Sequence, residues 1–396
     1  HAWSAFDYWQ LAQNSTFIGQ YALGHELDMV RCFAEPGTLI GCWYNYNLLD
    51  ENYSTFGPWH TLLRGLHTFG WFRAFGANRY SALNPDFTPF AQWKWTWSEL
   101  KPIERGIGKL VLGLEREAPS VAILYEFANL QRNGPGHLAM IIAARVLHDM
   151  GYPCEFVASD QVRNGALEDV SVLLLPGQKH MQKDVARRIR EFVTTGGHVI
   201  ADRVPGEADG MNAYDTPLLQ DLFVAEAKRQ APLLPTSQKD LAAWSQHEKA
   251  VGQGRSLILG EIPSDYIASR FDEEGALLRE VLTNFIAPTG AVPDFAVEAV
   301  NGGLQPKTVV GYVDGASRYV GVQRDYAVPD PEPREFTVTG PEKAHVYDVR
   351  AGEYLGRAER VSVTLPVATG RLYAFLPYRV QGISLAGLPK QCLQGD

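Results

Sequence analysis

Residues 16–44 read TFIGQYALGHELDMVRCFAEPGTLIGCWY, and this stretch decides the fold of the first part of the chain. Thr16–Tyr21 and Thr38–Tyr44 are short apolar runs of strand length. Between them, His25–Ala34 has apolar residues at helical spacing and is stopped by Pro36-Gly37. A strand, a helix and a strand in this order predict two parallel strands joined by a right-handed crossover.

The same alternation continues on both sides of this stretch. A helix is predicted over Ala2–Asn14, a second over Pro58–Thr68 with its proline in the first turn, and a strand over Gly70–Phe75. Pro89–Leu114 predicts a long helix that is interrupted near Pro102. The first 118 residues therefore predict the last three βα units of a (β/α)8 barrel. A complete barrel takes about 250 residues, so five units are expected upstream, in the same polypeptide or in a separate chain.

Residues 119–295 predict a doubly wound, flavodoxin-like α/β domain. Its predicted strands and helices are, in order, Val121–Tyr125, His137–Met150, Cys154–Val157, Val170–Leu175, Lys183–Thr195, His198–Ala201, Ser256–Leu259 and Glu273–Phe285. The pattern also fits class I glutamine amidotransferases, whose nucleophile is a cysteine on a strand-to-helix turn. The turn Pro176–His180 contains no cysteine, and the chain has no glycine-rich phosphate loop. We therefore expect neither amidotransferase activity nor nucleotide binding.

Residues 296–396 alternate short strands with turns at intervals of about ten residues, which predicts a small antiparallel β-sandwich. The predicted strands include Thr308–Tyr312, Tyr319–Val322, Glu335–Val338, His345–Tyr347 and Arg371–Phe375.

Composition narrows the class of function. The 396 residues carry a formal net charge of −9, which gives no basic footprint for nucleic acid. The sequence contains no run of about 18 apolar residues, so no membrane span is predicted. Four scattered cysteines and ten scattered histidines show no metal-ligand spacing, so neither a metal nor another cofactor is expected.

The start of the sequence is informative about processing but not about compartment. His1 is neither a methionine nor the basic start of a signal peptide. Either a leader has been removed or the sequence begins inside a longer polypeptide. A secreted or periplasmic protein and a cytoplasmic one both remain open.

Tryptophan is concentrated in the first quarter of the chain, which holds every one of the nine except Trp244. Sugars present flat C–H faces that pack on aromatic rings, so a tryptophan-rich cleft is typical of a carbohydrate site. Some of these residues are expected to fill the core instead.

The order of half barrel, flavodoxin-like domain and small β-domain resembles the family 42 glycoside hydrolases and related bacterial β-galactosidase-like proteins of clan A. The motifs that carry this resemblance are Leu83–Pro89, Ile107–Leu110, Val121–Tyr125, Leu173–Gly177, Gly196–Ile200, His345–Asp348 and Tyr354–Gly356. In that family the middle domain is a trimerisation domain. The resemblance therefore implies a carbohydrate substrate and a homo-oligomer, with a trimer favoured.

The resemblance also implies a catalytic pair of glutamates on barrel strands four and seven, one protonating the glycosidic oxygen and one attacking the anomeric carbon. Strand four is not in this sequence. Glu35, followed by Pro36-Gly37 and eight residues before Trp43, resembles the family's nucleophile. Against this, the predicted strands put Glu35 at the end of a connecting helix, at the wrong face of the barrel. Both interpretations stay open here.

Other candidates follow the carboxyl ends of the predicted strands, where barrel chemistry lies. Tyr21 and Glu26 are candidate catalytic-site residues, because family members often place a hydrogen-bond partner of the nucleophile at the exit of strand six. The candidate substrate-binding residues are His25, Trp43, Asn45, Trp71 and Arg73.

A second hypothesis is a non-catalytic assembly or carbohydrate-binding subunit with a degenerate site. The absence of strand four and the position of Glu35 favour it.

Overall fold

Three parallel strands, β1 (Phe17–Tyr21), β2 (Leu39–Trp43) and β3 (Thr68–Gly70), form the first sheet of the computed structural model. The structure describes residues 6–21, 25–43, 50–70, 81–118, 120–153, 155–224, 247–260 and 266–382. The strands are ordered β1-β2-β3 and connected by helices, which confirms the predicted βαβ pattern. The helices of this part are α1 (Tyr8–Gln13), α2 (Glu26–Phe33), α3 (Glu51–Leu62), α4 (Trp93–Pro102) and α5 (Gly108–Gly113).

Helix α3 corrects the prediction that a helix begins at Pro58. The helix begins seven residues earlier, where the Asp50 side chain accepts the N–H of Tyr53 at 3.0 Å and caps it. Pro58 therefore lies inside the helix, where it cannot donate to the carbonyl of Ser54. That carbonyl accepts the hydroxyl of Thr96 at 3.1 Å instead, which ties α4 to α3. The interruption predicted near Pro102 is confirmed as a π turn between α4 and α5.

The second sheet has six strands in the order β6-β5-β7-β8-β10-β9, all parallel except the edge strand β9. Its strands are β5 (Val121–Tyr125), β6 (Phe156–Ala158), β7 (Val172–Leu175), β8 (His198–Ala201), β9 (Glu248–Val251) and β10 (Gly254–Ile258). The helices are α6 (Phe127–Arg132), α7 (Gly134–Asp149), α8 (Ser159–Arg163), α9 (Lys183–Thr194), α10 (Tyr266–Ser269) and α11 (Glu273–Ile286). Helices α7 and α11 pack on one face and α8 and α9 on the other, as a doubly wound sheet requires.

The third sheet is antiparallel and contains β4 (Glu115–Arg116), which the prediction had left inside a helix-rich segment. Its other strands are β11 (Ala296–Ala299), β12 (Lys307–Asp314), β13 (Ser317–Arg324), β14 (Arg334–Asp348), β15 (Glu353–Leu365) and β16 (Gly370–Leu376). The described strands form one seven-stranded sheet rather than the two separate sheets of the predicted sandwich. Register shifts after Thr339 and Val346 allow β14 to pair with β11 along its first half and with β16 along its second.

A buried charge cluster joins the first sheet's helix layer to the second sheet. Glu155, next to β6, pairs with Arg31 of α2 at 2.7 Å and with Arg116 at 3.4 Å. Burial would raise the pKa of Glu155, but the two guanidinium groups outweigh it and hold the pKa below its usual value.

None of the described helices is both long enough and apolar enough to cross a bilayer.

Candidate functional site

The carboxyl ends of the three parallel strands lie side by side. Tyr21, the last residue of β1, pairs in register with Trp43 of β2, and Trp43 pairs with Gly70 of β3. Predicted site residues Tyr21 and Trp43 are thus brought to the same edge. Asn45, Trp71 and Arg73 lie outside the described residues.

One face of this sheet is covered and the other is open. Ile18, Ile40 and Cys42 are at most 4% exposed on the helix side. On the opposite face Phe17, Leu39 and Trp43 are 52%, 49% and 46% exposed. An exposed apolar face of this kind is typical of a surface that binds a partner, a ligand or another segment.

Trp43 lies across the open face at the carboxyl edge. A side-chain carbon added to Gly19 would come within 3.1 Å of the Trp43 indole nitrogen, so the glycine leaves room for the ring to lie over β1. A half-exposed tryptophan ring at the edge where barrel chemistry takes place suits the stacking of a sugar.

Glu35 does not share this edge. It is exposed in the turn between α2 and β2, before the amino end of β2. Because parallel strands point the same way, the amino end of β2 lies opposite the carboxyl edge that holds Tyr21 and Trp43. Tyr21 and Trp43 are thus at one edge of the sheet and Glu35 is at the other, and a catalytic role for Glu35 stays a prediction.

His25 and Glu26 stand at the start of α2, which follows β1, and the fold adds His137 from the first turn of α7. One ligand atom from each of the three side chains lies within 4.8 Å of the others. His25 Nδ1 is 3.6 Å from a Glu26 carboxylate oxygen, and the two imidazole ring centroids are 5.6 Å apart.

Burial sets the protonation of this cluster. The His25 side chain is 7% exposed and that of Glu26 is 17% exposed. Burial lowers the pKa of His25 to about 4, lowers that of His137 and raises that of Glu26. Both imidazoles are therefore neutral at pH 7.

Sequence reasoning missed His137, and with it any metal-ligand cluster. His25 and Glu26 are adjacent, but His137 comes more than a hundred residues later, so no ligand spacing is visible along the chain. The available signal was the predicted helix that begins at His137, because its first turn follows a strand of the neighbouring sheet.

A cavity of about 300 Å³ lies beside this cluster, between the first and second sheets' helices and the antiparallel sheet. His25 borders it. Its charged lining pairs Arg64 with Asp28 at 3.2 Å and Arg145 with Asp325 at 3.3 Å. Burial lowers the pKa of Lys307, which also faces the cavity, to about 8.

No protein-family model matches the chain, and no curated protein matches it. Similar solved structures do exist. A GH42 β-galactosidase from G. stearothermophilus matches 93% of this chain at 14% identity with a TM-score of 0.64. The β-galactosidases from Rahnella sp. R3 and from Bacillus circulans sp. alkalophilus match 94% and 91% of it, at 14% and 11% identity, with TM-scores of 0.63 and 0.61.

The match covers only part of those proteins. The chain spans 61%, 62% and 63% of the three structures in the order G. stearothermophilus, Rahnella and Bacillus. At these identities the similarity is one of fold. Over most of its length, the chain has the fold of GH42 β-galactosidases.

Proposed function

We propose that this chain is the C-terminal portion of a glycoside hydrolase of the β-galactosidase type. The enzyme hydrolyses a terminal β-glycosidic bond with retention of configuration. In this proposal residues 1–118 end the barrel, residues 119–295 form the trimerisation-type domain and residues 296–396 form the C-terminal β-domain. The observation that carries the proposal is the open apolar face of the three parallel strands, in a chain with the fold of GH42 enzymes.

We propose that further barrel strands bury that face. Closing a barrel buries the inward-pointing residues of every strand, and here Phe17, Leu39 and Trp43 point away from the helices. The covering strands would include strand four, which supplies the second catalytic carboxyl. They belong to the same polypeptide or to a separate chain.

Within the described residues, we place Tyr21, His25, Glu26 and Trp43 at the sugar site. Trp43 stacks on the sugar, and Glu26 is a half-buried carboxyl with a raised pKa, as a proton carrier requires. Asn45, Trp71 and Arg73 remain proposed sugar ligands. Retention requires a second carboxyl about 5–5.5 Å from the first, and we assign it to the strands beyond this chain.

Oligomerisation is proposed on the resemblance of the middle domain to a trimerisation domain. Sedimentation equilibrium of the purified protein is expected to give three copies, and a monomer at micromolar concentration would contradict this.

Hydrolysis of a β-galactoside by the protein as purified from its source tests the function, with proton NMR of the first sugar product to read its anomeric configuration. We expect the β-anomer. Glu26→Gln is expected to lower kcat by at least about 100-fold, since general acid–base catalysis contributes about that much or more. The matched control Glu35→Gln is expected to stay within about twofold. No hydrolysis by material with a complete barrel would overturn the proposal.

The second candidate is a non-catalytic assembly or carbohydrate-binding subunit. It is favoured by the position of Glu35, because the glutamate that resembled the nucleophile lies at the edge opposite the sugar site. Binding of galactose without turnover in the complete protein would select it.

A further inference from the structure

We propose that His25, Glu26 and His137 form a binding site for a divalent transition metal of the zinc type. One ligand atom from each side chain already lies within 4.8 Å of the other two. In a tetrahedral zinc site with bonds of about 2.0–2.1 Å, neighbouring donor atoms are roughly 3.4 Å apart. Small side-chain rotations therefore suffice to close the site.

Each of the two histidine rings has one buried nitrogen without a hydrogen-bond partner among the described residues, and the other nitrogen of His25, Nδ1, is the one 3.6 Å from the Glu26 carboxylate. The His25 side chain is 7% exposed, yet its Nε2 atom has no hydrogen-bond partner among the described residues. His137 Nδ1 is likewise buried without a partner there. Buried polar atoms in native proteins are normally paired, and an unpaired one costs free energy. A metal ion would satisfy a nitrogen on each ring.

The donor set selects the class of ion. Two imidazoles and one carboxylate match three-ligand zinc sites, which leave a fourth position for water. Magnesium and calcium prefer an all-oxygen environment and would bind poorly here. Zinc binds the neutral form of imidazole, and the ligands lie in a largely buried place, with the His25 side chain 7% exposed and that of Glu26 17% exposed.

The position of the three residues makes the site a link between two parts of the fold. His25 and Glu26 begin the helix that follows β1, whereas His137 begins the helix that covers the second sheet. The adjoining cavity of about 300 Å³ reaches His25 and gives the ion a route in. A bound ion would fix the start of α2 against α7, beside the carboxyl edge of the first sheet.

This inference goes beyond the proposed function and does not depend on it. A glutamate bound to zinc stays ionised, so Glu26 would then serve the sugar site as a metal ligand rather than as a proton carrier. Bound zinc and hydrolysis are measured separately, so either proposal can fail alone.

Zinc titration by isothermal calorimetry, with bound metal counted by plasma mass spectrometry after gel filtration, tests the site. We expect about one zinc per chain, little response to magnesium, and a rise in the melting temperature with zinc. His137→Ala and Glu26→Gln are each expected to weaken zinc binding by at least about 100-fold, because even supporting residues of metal sites contribute 10–100-fold. His345→Ala, which alters a histidine far from the cluster in sequence, is the control and should leave binding unchanged.

Circular dichroism shows whether each variant is folded. If His137→Ala does not fold, Glu26→Gln alone tests the site. A wild-type chain that takes up no zinc would overturn the proposal. The proposal would also be overturned if the His137→Ala and Glu26→Gln variants both fold and both bind zinc with the stoichiometry and affinity of the wild type.

Discussion

The two parallel sheets of this chain differ in how much of their surface the chain itself covers. The six-stranded sheet has helices on both faces, and Leu173, Leu174 and Leu175 of its central strand are at most 4% exposed. In the three-stranded sheet, the described helices cover one face, and Leu39 and Phe17 on the other are about half exposed.

Two parallel sheets of the same chain thus differ in whether the described helices bury both faces or one. Parallel sheets occur almost only with both faces buried, because their crossover helices and neighbouring strands cover them. The doubly wound sheet meets this rule alone. Among the described residues, the first sheet leaves Phe17, Leu39 and Trp43 about half exposed on its second face, and in our proposal further barrel strands cover it.

The largest expected effect is at the charge cluster between the two sheets. Glu155→Gln would remove the buried carboxylate that pairs with Arg31 and Arg116 and would leave Arg31 its longer pair with Asp28 at 3.6 Å, at a cost of about 3 kcal/mol of unfolding free energy. Urea unfolding measures it. Glu191→Gln, which alters an exposed partner of Arg187 and Arg188, is the control and should leave the unfolding free energy nearly unchanged, because exposed ion pairs contribute little to stability. Equal effects would show that the cluster does not hold the sheets together.

A pair of leucine truncations compares the two sheets directly. Leu175→Ala, fully buried in β7, should lower the unfolding free energy by about 2–5 kcal/mol. Leu39→Ala in β2 should cost less than about 1 kcal/mol in the 396-residue chain, because the side chain is half exposed. In a protein with the barrel complete, the cost of Leu39→Ala should rise toward that of Leu175→Ala. A small cost in both contexts would contradict the covering strands.

Acid should weaken the region between the sheets. Burial lowers the pKa of His148 to about 3, with Arg64, Arg145 and Arg270 adding to the shift and Asp28 opposing it. The folded pKa lies below the unfolded value of about 6.5, so this contribution to stability is complete above pH 6.5 and is lost as the pH falls.

At pH 5 the loss should be about 1–2 kcal/mol relative to pH 7. Urea unfolding at both pH values should show that His148→Gln removes this part of the pH dependence. An unchanged pH dependence in the variant would place the titrating group elsewhere.

The smallest expected effect concerns sugar binding on the open face. Trp43→Ala should weaken galactoside binding by roughly fivefold, about 1 kcal/mol, by removing a stacking surface. Trp97→Ala, 52% exposed on α4, is the matched control and should bind as the wild type does. Isothermal calorimetry or the KM for the galactoside measures the difference in affinity between the two variants. Equal binding by the two variants would remove Trp43 from the sugar site.

Local patterns predicted the elements but not all of their limits. Apolar runs and helix stops in the sequence locate β1, α2 and β2 within about one residue. These signals are local, because the apolar residues that each element buries lie within the element itself. The start of α3 does not follow from its proline, because the Asp50 side chain caps the helix seven residues before Pro58. The register shifts of β14 do not follow from its own sequence, because strand pairing is set by distant partners.

The candidate site was predictable only in part for the same reason. Tyr21 and Trp43 could be placed together because parallel strands share a carboxyl edge. His137 could not, since its approach to His25 depends on how α7 packs against α2, which no local pattern records.

The most direct test of the proposed barrel is a paired measurement of intact mass and β-galactosidase activity across a gel-filtration profile of the protein from its source. We predict that activity elutes with material containing this sequence together with at least about 150 further residues, the length of five βα units. Residues in the same polypeptide and residues in a second one both satisfy this prediction. Activity from the 396-residue chain alone, or no activity in fractions that hold the longer material, would contradict the account.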